Sequence, residues 1–355
     1  MLNVALLILG CGLYLLIMWD VLKTTLSLHG GGPVSVLITR TLDRVIAHVA
    51  PLRRYSMLVF TVSLFGVWLT ALLVANTLIL STDASAVQQV SESNDGALWL
   101  NNLYFVGAAL TTAGFGDFVP NGVLWQAITM LMALSGLIVT SLGISYVISL
   151  VGAVVSQRQL ARRISNLGAS PRRVLAAHYH EGSFARFGTH CTSIADALLL
   201  HTQRHLAYPV VHYIRATDNR SSLPTAIANL DEVLTVLLFE VPADAQPDLH
   251  QLIALREAIT AYLESFKGIF KRDSHEQPPW PATEWLREKW HMAPVRRAEH
   301  LPDAHRKALA ERRSVLRAAV RSQGHEWHQL EDLLSTGGDD PIDAPLLDLF
   351  AEAAA

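Results

Sequence analysis

Three long apolar runs organise the first 155 residues of this 355-residue chain, and a fourth, shorter one sits between the last two. Leu2 to Trp19 is apolar and is closed by Asp20 and Lys23. With the polar-tolerant turn to about Thr25 it reaches the roughly 20 residues that a helix needs to cross a bilayer. Tyr55 to Leu80 carries no charge at all, and Val123 to Val155 is apolar throughout, with Gly136, Gly143 and Gly152 inside it. The shorter run, Leu98 to Leu110, is apolar and aromatic and passes without a turn signal into Thr111. The pattern predicts spans over 1–27, 55–80 and 123–155, and a short helix over 98–111. Asp20 reads as an interfacial carboxylate paired with Lys23 one turn on, rather than as a functional intramembrane acid.

Between the first two spans, Gly30-Gly31-Gly32-Pro33 breaks the helix. Val34 to Val49 then places apolar residues on one face and Arg40, Asp43, Arg44 and His48 on another. Residues 28–54 therefore read as an amphipathic linker, lying at the membrane surface or packed on the protein. A polar, acidic loop runs from Ser81 to Asp95. Beyond residue 155 the periodicity is helical, with segments at about 157–167, 189–215, 224–240, 248–270, 296–322 and 326–334, and no convincing strand alternation. Gly168 reads as a helix stop, and Ser170-Pro171 as the start of the next helix. Asp273 to Thr283, with Pro278, Pro279 and Pro281, reads as a linker between a helical domain at 156–273 and a C-terminal helical region at 284–355. The acidic tail, Leu346 to Ala355, reads as a short, loosely held helix. The fold class is thus all-α, membrane in its first part and soluble in its second.

Charge sharpens that division. No Lys or Arg lies between Arg54 and Arg158, and that interval holds four acids, Asp83, Glu92, Asp95 and Asp117. Residues 158–355 carry 23 basic and 25 acidic residues, so the net charge of −3 averages two unlike parts. Lys23, Arg40, Arg44, Arg53 and Arg54 follow the first span, and Arg158, Arg162, Arg163, Arg172 and Arg173 follow the third. The positive-inside rule puts both groups in the cytoplasm, with the N-terminus and the acidic loop outside. The first apolar run has neither a basic segment before it nor a small-residue cleavage site after it, so it reads as an uncleaved span. Cys11 and Cys191 fall in different halves and suggest neither a disulfide framework nor a metal site.

Candidate chemistry concentrates in Thr111-Thr112-Ala113-Gly114-Phe115-Gly116-Asp117. Glycines alternating with side chains let a short backbone reach left-handed conformations, so that successive carbonyls line one side. A row of carbonyls with a threonine hydroxyl can replace the water around a dehydrated monovalent cation. Residues 104–120, Tyr-Phe-Val-Gly-Ala-Ala-Leu-Thr-Thr-Ala-Gly-Phe-Gly-Asp-Phe-Val-Pro, resemble the pore loop of tetrameric potassium channels. The match covers Tyr104 and Phe105 on the pore helix, the double threonine, the Gly-aromatic-Gly core, the aspartate and the proline three residues on. It departs at Ala113, where the family usually has valine, and at Phe115, where tyrosine is commoner.

The resemblance implies a pore module over 55–155 with outer helix 55–80, pore helix 98–111, filter 112–116 and inner helix 123–155. K+ would be held by the carbonyls of Thr112, Ala113, Gly114 and Phe115 and the Thr112 hydroxyl, with Gly116 and Asp117 shaping the outer mouth. Gly136 stands where such channels keep a hinge glycine, and a close helix contact is the other reading. One loop cannot encircle an ion and no internal repeat supplies a second, so a homotetramer in the cell (inner) membrane is implied. K+ is the permeant ion, no cofactor is expected, and neither is a nucleic-acid partner. The helical cytoplasmic domain would assemble or gate the pore, its own ligand or protein partner left open. No arginine ladder marks a voltage sensor.

Two rival readings keep part of this picture. Ala113 packs less tightly behind the filter than valine, which admits a non-selective monovalent cation channel. The other rival is a non-conducting membrane sensor or adaptor. No nucleophile elbow, zinc-protease His pair or phosphate loop points to an enzyme. Thirteen of the fifteen histidines lie beyond residue 155. His201 and His205 are one helical turn apart and His178 and His180 are close in sequence, but no Cys or Glu completes a ligand set around His201. Ordinary surface or core histidines are the default.

Overall fold

The structure, a computed structural model, describes residues 2–27, 30–49, 55–90, 97–214, 216, 219–266, 301–325 and 327. Among these the chain is all-α apart from one two-stranded ribbon. It divides into two compact units, one of residues 1–156 with 203–215 and one of residues 157–202 with 216–355.

In the first unit, α1 (Leu2–Leu26) and α3 (Ser56–Leu80) are long and apolar enough to cross a membrane, as is the helix α5 (Gly122–Ser165) that begins there. α3 turns one face inward, burying Phe60, Leu64, Trp68, Leu72 and Ile79 at roughly helical-turn spacing. α1 approaches it at Gly10, where a Cβ would lie 2.9 Å from the Ala75 carbonyl oxygen and 2.8 Å from Ile79 Cγ1. Only a residue without a side chain allows that backbone approach. The amphipathic linker forms α2 (Pro33–His48), with Pro33 in its first turn. α2 buries Ile46 and packs Val34, Ile38 and Leu42 against the core shared with α1 and α3, leaving Arg40, Arg44 and His48 exposed. Its apolar face is therefore a packing face on the protein.

Asp20 corrects the expected interfacial pair with Lys23. Its side chain is fully buried, whereas Lys23 is exposed. The carboxylate accepts from the Val34 and Ser35 backbone N–H groups at 2.7 and 3.2 Å, from the Ser35 hydroxyl, and from Trp68 Nε1 at 2.9 Å. Orphan N–H groups of the first turn of α2, not a basic side chain, satisfy this acid.

Two strands were not legible in the sequence. β1 (Val87–Gln89) pairs antiparallel with β2 (Phe118–Pro120), in the register Val87↔Pro120 and Gln89↔Phe118. Strands of three residues are too short to display alternation. Between them lies α4 (Leu98–Leu110), the predicted pore helix. After β2, α5 corrects the expected break near residue 155, continuing without interruption to Ser165. Residues 157–165 contain no Gly or Pro and are rich in good helix formers, so nothing ends the helix before Gly168. At 1.5 Å per residue α5 is about 66 Å long, roughly twice the hydrocarbon thickness of a bilayer.

The second unit is built round α8 (Leu223–Phe239), buried on every side from Leu223 to Leu237. The last turns of α5, α6 (Pro171–His178), α7 (Ala185–Ala207), α9 (Leu249–Glu264) and α10 (Asp303–Ser322) all contribute to its core. Sequence features set their ends. A Cβ on Gly168 would lie 2.5 Å from Val174 N, so the turn into α6 requires glycine. The Ser170 hydroxyl caps α6 by accepting from Arg173 N at 3.3 Å. Pro209 turns the expected continuation of α7 into a 3-10 segment, Pro209–Tyr213. The linker at 273–283, the segment at 326–334 and the tail at 346–355 lie outside the described residues, Trp327 apart.

α8 also carries two buried acids, each matched by arginine. Asp231 meets Arg256 Nη1 and Arg312 Nη2, each at 2.8 Å. Arg313 donates to Glu232 through Nε at 2.7 Å and Nη2 at 3.3 Å, and its guanidinium lies 5.8 Å from the centre of the Trp327 ring. Burial, against the pull of Arg313, pushes the Glu232 carboxyl up to about 7. α10 is thereby bonded to α8 through charge as well as packing.

Candidate functional site

The site begins at the C-terminal end of α4. Thr111 closes that helix, its N–H and hydroxyl both donating to the Gly107 carbonyl, at 3.1 and 2.7 Å. Thr112 N donates to Ala109 O at 3.1 Å and Ala113 N to Ala108 O at 2.9 Å. These bonds anchor the first residues of the extended segment to the helix that precedes it.

Thr112, Gly114 and Gly116 have φ of +56°, +57° and +87°, whereas Ala113 and Phe115 do not take positive φ. Strict alternation of left-handed and ordinary φ turns successive peptide planes alike, so consecutive carbonyls fall along one side of the strand. Glycine takes the left-handed positions freely. Thr112 does so at a cost of the order of 1–2 kcal/mol. The residues expected to ligate K+ occupy one continuous backbone segment in which φ alternates in sign.

The outer end is tied back to α4. Tyr104 OH donates to Asp117 Oδ2 at 2.8 Å, and the Tyr104 ring stacks on Phe115, centroids 6.0 Å apart, and meets Phe118 edge-on at 5.9 Å. Val90 N donates to the Asp117 carbonyl at 2.9 Å. Asp117 therefore acts as a structural acceptor while its side chain stays exposed. Tyr104, read from the sequence only as a pore-helix aromatic, is the residue that holds both Asp117 and Phe115. The signal for that role was the polar edge of its ring. Nearby, Asp83 accepts from Ser85 N and Oγ at 2.8 and 2.7 Å and from Trp125 Nε1 at 3.1 Å, linking the outer loop to the first turn of α5. The Ser85 hydroxyl and N–H, with Trp125, hold its carboxyl below the usual range.

Beside the segment lies a pocket of about 230 Å³, open to solvent in the single chain and lined by Phe105, Ala108, Ala109, Thr112, Phe115 and Ala133 among others. Thr111 to Asp117 are exposed in the single chain, Phe115 to 65 %.

Gly136, the expected hinge, is a point of close approach. A Cβ there would lie 2.2 Å from the Leu110 carbonyl oxygen and 2.9 Å from Leu110 Cα. α5 thus crosses the C-terminus of α4, in backbone contact with the last helical residue before the filter. Gly136→Ala is expected to cost about 1–3 kcal/mol by overpacking, because the obstructing atoms are backbone. Hydrogen exchange of the α4 amides in the two proteins measures that cost, and unchanged protection would contradict the tight contact.

Among the described residues the histidines assemble no comparable site. His201 is buried and faces Tyr262 at 6.0 Å, and desolvation pushes His205 down to about 4, which keeps it neutral at ordinary pH. His178 Nδ1 bonds to Val174 O at 2.7 Å and its ring lies edge-on to His190 at 5.1 Å. Among the described residues no three His, Cys, Asp or Glu are grouped closely enough to hold a metal ion.

Residues 58–153 match a family model described as an ion channel. The chain is also 26 % identical over 323 residues to YdjJ of Bacillus subtilis (strain 168), an uncharacterized membrane protein, the alignment covering 87 % of this chain and 91 % of that one. No solved structure matches. With three helices able to cross a bilayer and a re-entrant helix and loop between the last two, residues 58–153 are an ion-channel pore module of that family.

Proposed function

We propose that the protein is a potassium-selective channel that conducts passively through a homotetrameric pore. The observation that carries this reading is the alternating φ at Thr112, Gly114 and Gly116 in a segment held to the pore helix at both ends. Four such strands would present the carbonyls of Thr112, Ala113, Gly114 and Phe115, with the Thr112 hydroxyl innermost, as a stack of oxygen sites for a dehydrated cation. The last carbonyls of α4 add a negative dipole end toward the same axis. The oligomer follows from exposure. Irregular backbone and a 65 % exposed Phe115 at membrane depth need protein or a water-filled path beside them, and one chain offers neither. Fourfold closure comes from the resemblance to tetrameric channels. The distribution of basic residues supports an N-terminus outside and residues 157–355 in the cytoplasm, where this helical unit would assemble or gate the pore.

Purified protein in potassium-loaded vesicles should release K+ down its gradient, and cross-linking in the membrane should yield species up to four chains. A vesicle that retains its K+ with the tetramer formed would favour the non-conducting sensor. Ala113, smaller than the valine usual in the family, favours one other reading, a channel passing Na+ and K+ alike. A filter lightly supported from behind adapts to the smaller ion more readily.

A further inference from the structure

The buried carboxylate of Asp20 stands at one end of a chain of contacts that reaches the inner helix. Asp20 accepts from the first-turn N–H groups of α2 and from Trp68 Nε1 on α3. The Thr24 hydroxyl, one turn on in α1, accepts from Gly32 N at 2.8 Å and donates to the Ser35 hydroxyl at 2.9 Å. A Cβ on Gly32 would lie 2.1 Å from Asp20 Oδ1, so the approach of α2 to α1 needs glycine there. Trp68 is itself fully buried and meets Phe65 edge-on, centroids 5.6 Å apart. Phe65 fills a notch in α5. A Cβ on Gly143 would lie 1.8 Å from Phe65 Cε1 and 2.2 Å from Cζ. Gly143 is buried and lies two helical turns beyond Gly136, where α5 touches the end of α4.

We propose that Asp20 is a positioning residue for conduction, acting from the N-terminal span through Trp68 and Phe65 on the inner helix at Gly143. The first span is then part of the gating machinery. A charge-assisted hydrogen bond fixes the indole. The fixed indole holds the Phe65 ring, and the ring locks α5 against α3 at Gly143, where the helix has no side chain to keep it off. Loosening any link changes the freedom of the inner helix without touching the filter.

This inference rests on the channel reading, and its test has an arm independent of it. In full-length protein labelled with 15N-indole tryptophan and reconstituted in lipid nanodiscs, Asp20→Asn should move the Trp68 resonance by taking the charge from its acceptor and replacing one of the two carboxylate oxygens with an amide. Gly143→Ala should move the same resonance through Phe65. A Trp68 resonance indifferent to Gly143→Ala would overturn the relay whether or not the protein conducts. In bilayers, Asp20→Asn, Trp68→Phe and Phe65→Ala should each change open probability in the same direction by about fivefold or more, with the reversal potential unchanged. In the Phe65→Ala background, Asp20→Asn should have no further effect. Independent, additive effects of Asp20→Asn and Phe65→Ala, or an unaltered open probability in Asp20→Asn, would also overturn it. Silence of the unmutated protein in the bilayer counts against the channel reading and leaves the nuclear resonance arm to decide the relay.

Discussion

Gly114→Asp or Gly116→Asp is expected to bring the current to background while the oligomer still forms. Both glycines hold left-handed φ, +57° and +87°, and nothing in the same chain lies within 4 Å of a Cβ at either. A side chain there meets no obstacle within its own subunit, so folding of one chain loses only the backbone strain of about 1–2 kcal/mol. In a closed ring, copies of that carboxylate would crowd beside the carbonyls that would hold the ion, and the strained backbone would no longer present them as a row. Cross-linking checks assembly, and vesicle flux checks conduction. Robust K+ flux through either variant would remove the filter from residues 112–116.

Arg313→Met should destabilise the second unit by about 3–5 kcal/mol, the usual consequence of breaking a buried pair from one side. Arg313 and Glu232 are both buried, and Arg313 Nε donates to Glu232 at 2.7 Å. Hydrogen exchange of the α8 amides in the full chain reads the effect as a protection loss of roughly a hundredfold or more. The loss should grow with pH. The folded Glu232 carboxyl already sits above its unfolded value of 4.5, at about 7, and removing the guanidinium raises it further. The variant must therefore keep a proton that the unfolded chain gives up above about pH 4.5, a cost that increases with pH. Glu232→Leu combined with Arg313→Met removes both charges and should recover most of the loss. Equal protection at pH 5 and pH 8 in Arg313→Met would contradict this account of the pair.

The three spans, the pore helix and the Gly-Phe-Gly-Asp segment were legible because each rests on a local signal. Apolar runs are bounded by charge, and a glycine alternates with an aromatic. What stayed hidden depends on partners distant in sequence. Asp20 read as a partner for Lys23 because the pairing rule sees one turn ahead, whereas its donors lie 14, 15 and 48 residues away. Gly136 and Gly143 showed no local feature to separate a hinge from a contact, and the atoms they admit belong to Leu110 and Phe65. The matched acids and arginines of α8 and α10 are 81 residues apart. The continuity of α5 past residue 155 was missed for the opposite reason. A change from apolar to charged composition marks where a helix leaves its apolar surroundings, but it does not stop the helix.

The central claim is tested most directly by the reversal potential of the purified protein in a planar bilayer, with K+ on one side and Na+ on the other. The account predicts a clear current whose reversal potential shifts strongly toward the potassium equilibrium potential. A clear current reversing near zero would contradict potassium selectivity and assign the pore to monovalent cations in general, with the small side chain of Ala113 as the cause.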